Sequence, residues 1–316
     1  MIDRVAGNSQ SQFMLSQIMN AENALNTSEQ QVASGKVADT YSGIGDKTAV
    51  LEAARSAANK SSALQSTLQL AVNQTNLQDT QVTQLSSLAD QLRQDVTTAL
   101  ANNDGSNLMS QAQGIFDQAQ QILNAQDANG NYLYGGDKDT TPPVTVNSLS
   151  DLASLGSVSS AFANGSTAKS VSTGDGQTVQ VGLLASDLGT QLFSSLQQIA
   201  QFNAGSNGNF GQGVSQAQSM FLTTQVGNAK TASTDLNNVA AQNGDVYNQL
   251  NDAVTHQQSL NTLYTGFVSN IEDVDMATAA TQLSQNQTAL QAALQVTAQL
   301  NQVSLLNYLP ATPAGG

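Results

Sequence analysis

The sequence predicts a mainly α fold: an elongated antiparallel helical rod or coiled coil, with terminal helices and a small β-rich insertion. Three observations carry that prediction. First, residues 47–103 contain neither Gly nor Pro, and apolar residues step by seven along Val50, Ala57, Leu64, Ala71, Leu85, Leu92 and Ala99. Companions stand at Ala54, Leu68, Val82, Ala89 and Val96, and Gln78 is the one polar member of the row. Such spacing marks one stripe of a helix that packs lengthwise on other helices. At 1.5 Å per residue it would be about 85 Å long, and no isolated helix of that length buries its stripe. Second, the same step recurs near both ends of the chain. Third, the 316 residues include no Trp, no Cys, one His and only 4% aromatics. Leu, Ala and Val must therefore fill the core, as they do in helical bundles.

Five stretches follow in order. Residues 1–46 form an N-terminal helical arm and connector. Met14 and Ala21 stand beside the row Ile18, Leu25 and Val32, and Gly35 ends the helix at a plausible C′ position. Residues 47–130 are the first half of the rod. The long helix stops at Asn102–Asn103–Asp104–Gly105, and a shorter one over 107–125 returns along it with Ala112, Ile115, Phe116 and Ala119.

Residues 131–185 change character. Tyr132–Leu133–Tyr134 reads as a short strand, Pro142–Pro143 forbids helix, and alternation around Gly174–Asp175–Gly176 predicts a hairpin. This is expected to be a loose surface insertion, so deletion of 141–170 should be tolerated. Residues 186–271 are the second half of the rod. Helix resumes at Leu188, pauses at the Gly/Asn-rich stretch 205–213, and then continues, with Gly227 and Gly244 as weak points.

Residues 272–316 are the C-terminal helical arm, inner partner of 1–46. Met276, Leu283 and Leu290 recur at seven, with Ala280 and Leu294 four residues after members of that row. A neighbouring row, Ala289, Val296 and Val303 with Ala293 and Leu300, carries the stripe onward, and Pro310 and Pro313 close the stretch. No side-chain charge occurs after Asp275; the other face is rich in Gln. A solvated coiled-coil exterior normally carries Glu and Lys. Their omission fits a face used against further copies or a neutral channel. Amides at nearly every turn also break any run of the roughly 18 apolar residues that a membrane span needs.

The formal net charge of −14 disfavours nucleic acid as a partner. No charged segment followed by an apolar one opens the chain, so a cleaved secretory signal is not expected. Chemistry is equally unsupported. His256 has no second His or Cys to share a zinc ion. Glu272, Asp273 and Asp275 lack calcium-loop spacing and suit a helix N-terminus. The glycine-rich stretches lack the Gly-Lys-Ser/Thr of a phosphate loop. Asn164–Gly165–Ser166 fits a glycan sequon, a pattern common by chance. No catalytic residue, cofactor or metal is expected.

Three local motifs bear a resemblance. Ala33–Ser34–Gly35–Lys36–Val37 resembles the end of the first helix in the flagellin family of bacterial flagellar axial proteins, with Val37 in place of a second basic residue. The run Asn129, Gly130, Asn131, Tyr132, Leu133, Tyr134, Gly135, Gly136 resembles a step of that family's hook–filament junction branch, hook-associated protein 3. Ser304–Leu305–Leu306–Asn307–Tyr308–Leu309 is similar to the same branch's ending, and the Pro-Gln ending usual in filament flagellins is absent.

The resemblance implies a non-enzymatic, extracellular building block, exported by the flagellar type III apparatus without a cleaved signal. Its expected partners are copies of itself, the hook-side junction protein, flagellin or the cap side, and an export chaperone, with no nucleic acid and no membrane insertion. Ile18, Leu25, Val32, Leu283, Leu290 and Leu294 are the expected assembly interface. A filament flagellin and a surface adhesin or glycan-binding protein are the alternatives.

Overall fold

The fold, a computed structural model, describes residues 2–174 and 176–306, with side chains described over 9–174 and 176–299. Asp175, the side chains of Leu300 and Val303, and the ending with Asn307, Tyr308, Leu309, Pro310 and Pro313 lie outside the described residues. Within them the order is α1 (Ile2–Ser34), α2 (Tyr41–Ile44), a 3-10 turn, α3 (Thr48–Asn102), α4 (Leu108–Leu123) and α5 (Leu149–Ser154). A second 3-10 turn, strands β1 (Ser170–Gly174) and β2 (Gln177–Gln180), α6 (Ala185–Ala204), α7 (Gln216–Glu272) and α8 (Met276–Leu306) follow. The protein is mainly helical, with one small antiparallel hairpin. Val171 pairs with Val179 across it, around the predicted Gly174–Gly176 turn.

The chain divides into two compact units. Unit 1 holds the described residues up to Lys60 and from Leu260 onward; unit 2 is Ser61–Ser259. α3 and α7 each contribute to both. α7 passes through Gly227 and Gly244 without a break, although a Cβ at either would meet nothing within 4 Å.

Unit 2 is built on α3, α4, α6 and α7. Within unit 2 the middle of the α3 heptad stripe is core: Val82, Leu85, Ala89, Leu92 and Val96 are fully buried beside Ala112, Phe116 and Ala119 of α4. Val50, at the start of the row, is exposed, and Leu51 is buried instead. Scarce aromatics are concentrated rather than spread. Of the eight Phe in the chain, Phe116, Phe162 and Phe193 form one ring cluster, and Phe202, Phe210 and Phe221 another.

Two expectations about the insertion are corrected. Tyr132–Leu133–Tyr134 is not a strand. Tyr132 makes a single bridge to Gln126, and the Gly135 N–H then donates to the Tyr132 carbonyl in a turn. The turn drives Leu133 and Tyr134 into the core, where the Tyr134 hydroxyl donates to Gln81 Oε1 at 2.5 Å. Gly136 has φ +64°, and a Cβ there would meet Leu184 Cδ2 at 2.7 Å and the Thr167 carbonyl oxygen at 2.8 Å, so any side chain would force a shift.

Nor is 141–170 loose. Val144, Val146, Leu149, Leu152, Val158 and Ala161 join the main core. Their backbone is held by side-chain amides: Asn124 both donates to and accepts from Val144, Gln120 donates to the Val146 carbonyl, and Gln197 donates to the Leu152 and Leu155 carbonyls. Non-repetitive backbone can be buried only with such partners. Ser148 caps α5 by accepting from the Asp151 N–H.

Candidate functional site

Unit 1 gathers the residues that the sequence singled out at both ends. Its first part is the seam between α1 and α8. Along α1 the covered residues are Met14, Ile18, Ala21, Leu25, Ser28 and Val32, with Gln31 beside the last, its amide on the Val37 carbonyl; along α8 they are Ala279, Leu283, Asn286, Leu290, Ala293 and Thr297. Both series alternate steps of four and three, which keeps one seam facing the partner helix. The helices run antiparallel. Thr297 Oγ1 reaches Met14 Sδ at 4.0 Å, and Asn286 Nδ2 donates to Ser28 Oγ at 2.7 Å and to the Ala24 carbonyl at 3.1 Å. The Ser28–Asn286 pair, inside a mostly apolar seam, helps to fix its register.

Five of the six expected interface residues, Ile18, Leu25, Val32, Leu283 and Leu290, are half-buried. Leu294 is not among the covered residues; it stays 49% exposed. Exposed with it are Phe13, Leu15 and Met19 of α1 and Met276 and Val296 of α8. Two helices bury only the stripes that face each other, and large apolar side chains on both helices are left uncovered.

The second part is a clasp at the base of the arms. Gly35, at φ +71°, ends α1 in the left-handed conformation that glycine adopts without strain. The chain then pairs with the end of α7: the Val37 N–H donates to the Glu272 carbonyl at 2.7 Å, and the Val274 N–H to the Gly35 carbonyl at 2.9 Å. Glu272 is buried, and its carboxylate is divided between two cations. Oε1 lies 2.5 Å from Lys36 Nζ and Oε2 lies 2.6 Å from Arg55 Nη2. Hydrogen bonds from Lys36 and Arg55 hold the Glu272 carboxyl below the usual glutamate range. Arg55 also reaches the Tyr41 hydroxyl at 3.2 Å, which donates to Glu52 Oε1 at 2.5 Å. The Glu52 hydrogen bond, with its charge, raises the Tyr41 hydroxyl pKa.

Asp275 caps α8, accepting from the Ala277 N–H and the Thr278 hydroxyl, and those bonds, the Thr278 hydroxyl first, lower its carboxyl pKa. The acidic step thus does two jobs. Asp275 is the expected helix-start carboxylate, whereas Glu272 ends α7 and anchors the connector. Sequence reasoning singled out Lys36 and Glu272 separately but missed Arg55, Tyr41 and Glu52. The available signal was the scarcity of base: the chain has nine Lys and Arg in all, and Arg55 stands inside an otherwise uncharged run, 53–59.

Among the described residues no three His, Cys, Asp or Glu side chains are grouped to hold a metal ion. His256 is exposed on α7. Asn164 is half-buried and engaged: Nδ2 donates to Ser186 Oγ, and Oδ1 accepts from the Ser186 N–H at the start of α6. No helix among the described residues is long and apolar enough to cross a membrane.

A family model described as the bacterial flagellin C-terminal helical region matches residues 226–309. No curated protein matches the chain. Among solved structures, a flagellar hook-associated protein from Vibrio parahaemolyticus superposes with a TM-score of 0.59 at 16% identity, over 74% of this chain and 99% of that one. Bacillus cereus FlgL gives 0.42 at 15% identity, over 63% and 99%. Flagellar hook associated protein-3 from Legionella pneumophila gives 0.38 at 14% identity, over 80% and 99%. At such identity the first of these establishes a shared fold.

Proposed function

We propose that the chain is an axial structural subunit of the bacterial flagellum, placed at the hook–filament junction, and that its α1–α8 pair packs against copies of itself and other axial proteins. One observation carries this reading. The stretch similar to the flagellin C-terminal helical region runs through α8, the helix that pairs with α1 and keeps Met276, Leu294 and Val296 exposed. A helix pair that leaves large apolar side chains uncovered is expected to order fully when neighbours cover them.

The role is structural rather than catalytic, and the location extracellular. An export chaperone is expected to cover the arms before assembly. The junction is preferred over the filament on the Asn129–Gly136 step and the Ser304–Leu309 stretch. A junction subunit accepts unlike neighbours above and below, whereas a filament subunit must propagate on itself without limit.

The test is location and copy number. Intact hook–filament structures are purified and this protein is labelled with a specific antibody. A short band between hook and filament is the expected result. Label along whole filaments, or long filaments grown from the pure protein, identifies a filament flagellin instead; absence of label from the structures removes the axial reading altogether.

A further inference from the structure

Unit 2 has two separate apolar cores. The larger begins on α3 at Val82 and on α7 at Leu236, with Val239 and Ala240 at its edge. The smaller holds Leu68, Ala71 and Val72 of α3, Val181 and Leu250, edged by Val246, Tyr247 and the hairpin residues Val171 and Val179. Between Val72 and Val82, about 15 Å of helix, the buried residues of α3 are Thr75 and Gln78, both 0% exposed. On the facing stretch of α7 the buried residue is Asn243.

This layer differs from the other polar layers of the same helix pair. Ser61 is closed on Gln257, donating to its carbonyl and Oε1 at 2.7 and 3.0 Å. Ser86 is closed on Ser233 and Asn237, and Asp90 on Ser233. In the middle layer Asn243 Nδ2 donates to the Thr75 carbonyl at 2.9 Å, but neither amide atom of Gln78 has a hydrogen-bond partner among the described residues. A buried polar layer left half-satisfied costs the cohesion that a satisfied or an apolar one provides. Gly244 follows Asn243 directly, and a Cβ there would meet nothing within 4 Å. The helix is therefore weakened at the same level with no packing reason for it.

We propose that the Thr75–Gln78–Asn243 layer is a joint within unit 2, across which the small core opens as a cooperative segment separate from the large one. That segment comprises 61–74, 244–259, β1 and β2. Its direction of opening follows from size: five buried apolar residues among those described hold it, against thirty-two in the larger cluster. Gln78 keeps the cores uncoupled because its amide occupies the heptad position at which an apolar side chain would join them. The proposal concerns unit 2 alone and does not depend on the axial-subunit reading.

Native-state hydrogen exchange on the full chain tests it. Amides at 64–72 and 246–257 are expected to exchange at least tenfold faster than those at 85–96 and 222–236. In Gln78→Leu that ratio should fall at least threefold, through slower exchange in the small core. Gly244→Ala, which has room for its methyl, should slow the same amides without altering 85–96, and it keeps the test open should Gln78→Leu fail to fold. Equal protection of both cores in the unmodified protein overturns the joint. So does an unchanged ratio in a folded Gln78→Leu or in Gly244→Ala.

Discussion

Glu272 concentrates more consequence than any other side chain of unit 1, because it joins the connector after α1, the start of α3 and the end of α7. Its two cations are partly exposed, at 46% for Lys36 and 34% for Arg55. They can rehydrate when the carboxylate is removed, so Glu272→Gln is expected to cost about 1–3 kcal/mol rather than the larger penalty of an orphaned buried charge. The pH dependence has a defined sign. The native carboxyl titrates below its ordinary value of 4.5, so its contribution is complete above that value. The contribution is lost as pH falls through the lowered native pKa. Thermal unfolding should show a gap between the two proteins at pH 7 that closes as pH falls through the lowered native pKa of Glu272; a gap independent of pH would mean that the carboxylate charge is not what holds the clasp. At Gly136, alanine meets both the left-handed backbone and the Thr167 carbonyl. Gly136→Ala should lower the midpoint of urea unfolding by the equivalent of about 1–3 kcal/mol.

Two elements decide how the ends and the insertion behave. The α1–α8 seam is one helix deep on each side, so a carboxylate in it has no partner and loses hydration. Leu290→Glu is expected to separate α1 from α8 while unit 2 keeps its helicity and its unfolding transition. Circular dichroism with limited proteolysis distinguishes this from collapse of the whole chain, which would show that the arms and unit 2 fold as one. The insertion behaves in the opposite sense from its composition. Leu152 is fully buried against α6, and Leu152→Ala should cost about 2–5 kcal/mol. Deletion of 141–170 removes six core side chains together; a deleted protein that unfolds at the parental temperature would refute this assignment of the core.

For the whole molecule, the proposed axial role requires that surface left exposed in the single chain become covered on assembly. Hydrogen exchange at 9–34 and 276–299 should be fast in a proven monomer and slow by at least tenfold in assembled material, with little change at 85–96. Strong protection of the arms in the monomer would mean that their packing is already complete. The seven-residue rows made α1, α3 and α8 legible as helices, and three- and four-residue apolar spacing did so for α4, although not every member of those rows is buried. The hairpin was legible from its glycines. The clasp was not, because Lys36 and Glu272 lie at opposite ends of the sequence and no local pattern links them.

What the sequence determined by itself is what repeats locally: helix, its approximate limits, and the motifs at either end. On α8 the covered stripe is Ala279, Leu283, Asn286, Leu290, Ala293 and Thr297, and Met276, Ala280, Ala289, Leu294 and Val296 of the expected rows are exposed. Tertiary structure alone decided which stripe meets which. It set Ser28 against Asn286 and left Leu294 outside the seam. It also turned an apparently loose Ser/Gly-rich insertion into part of the core. The physical reason is that this insertion satisfies its backbone through distant amides, Gln120, Asn124 and Gln197. Glutamine and asparagine look the same in a sequence whether they face water or a buried carbonyl, and only the fold assigns them their partners.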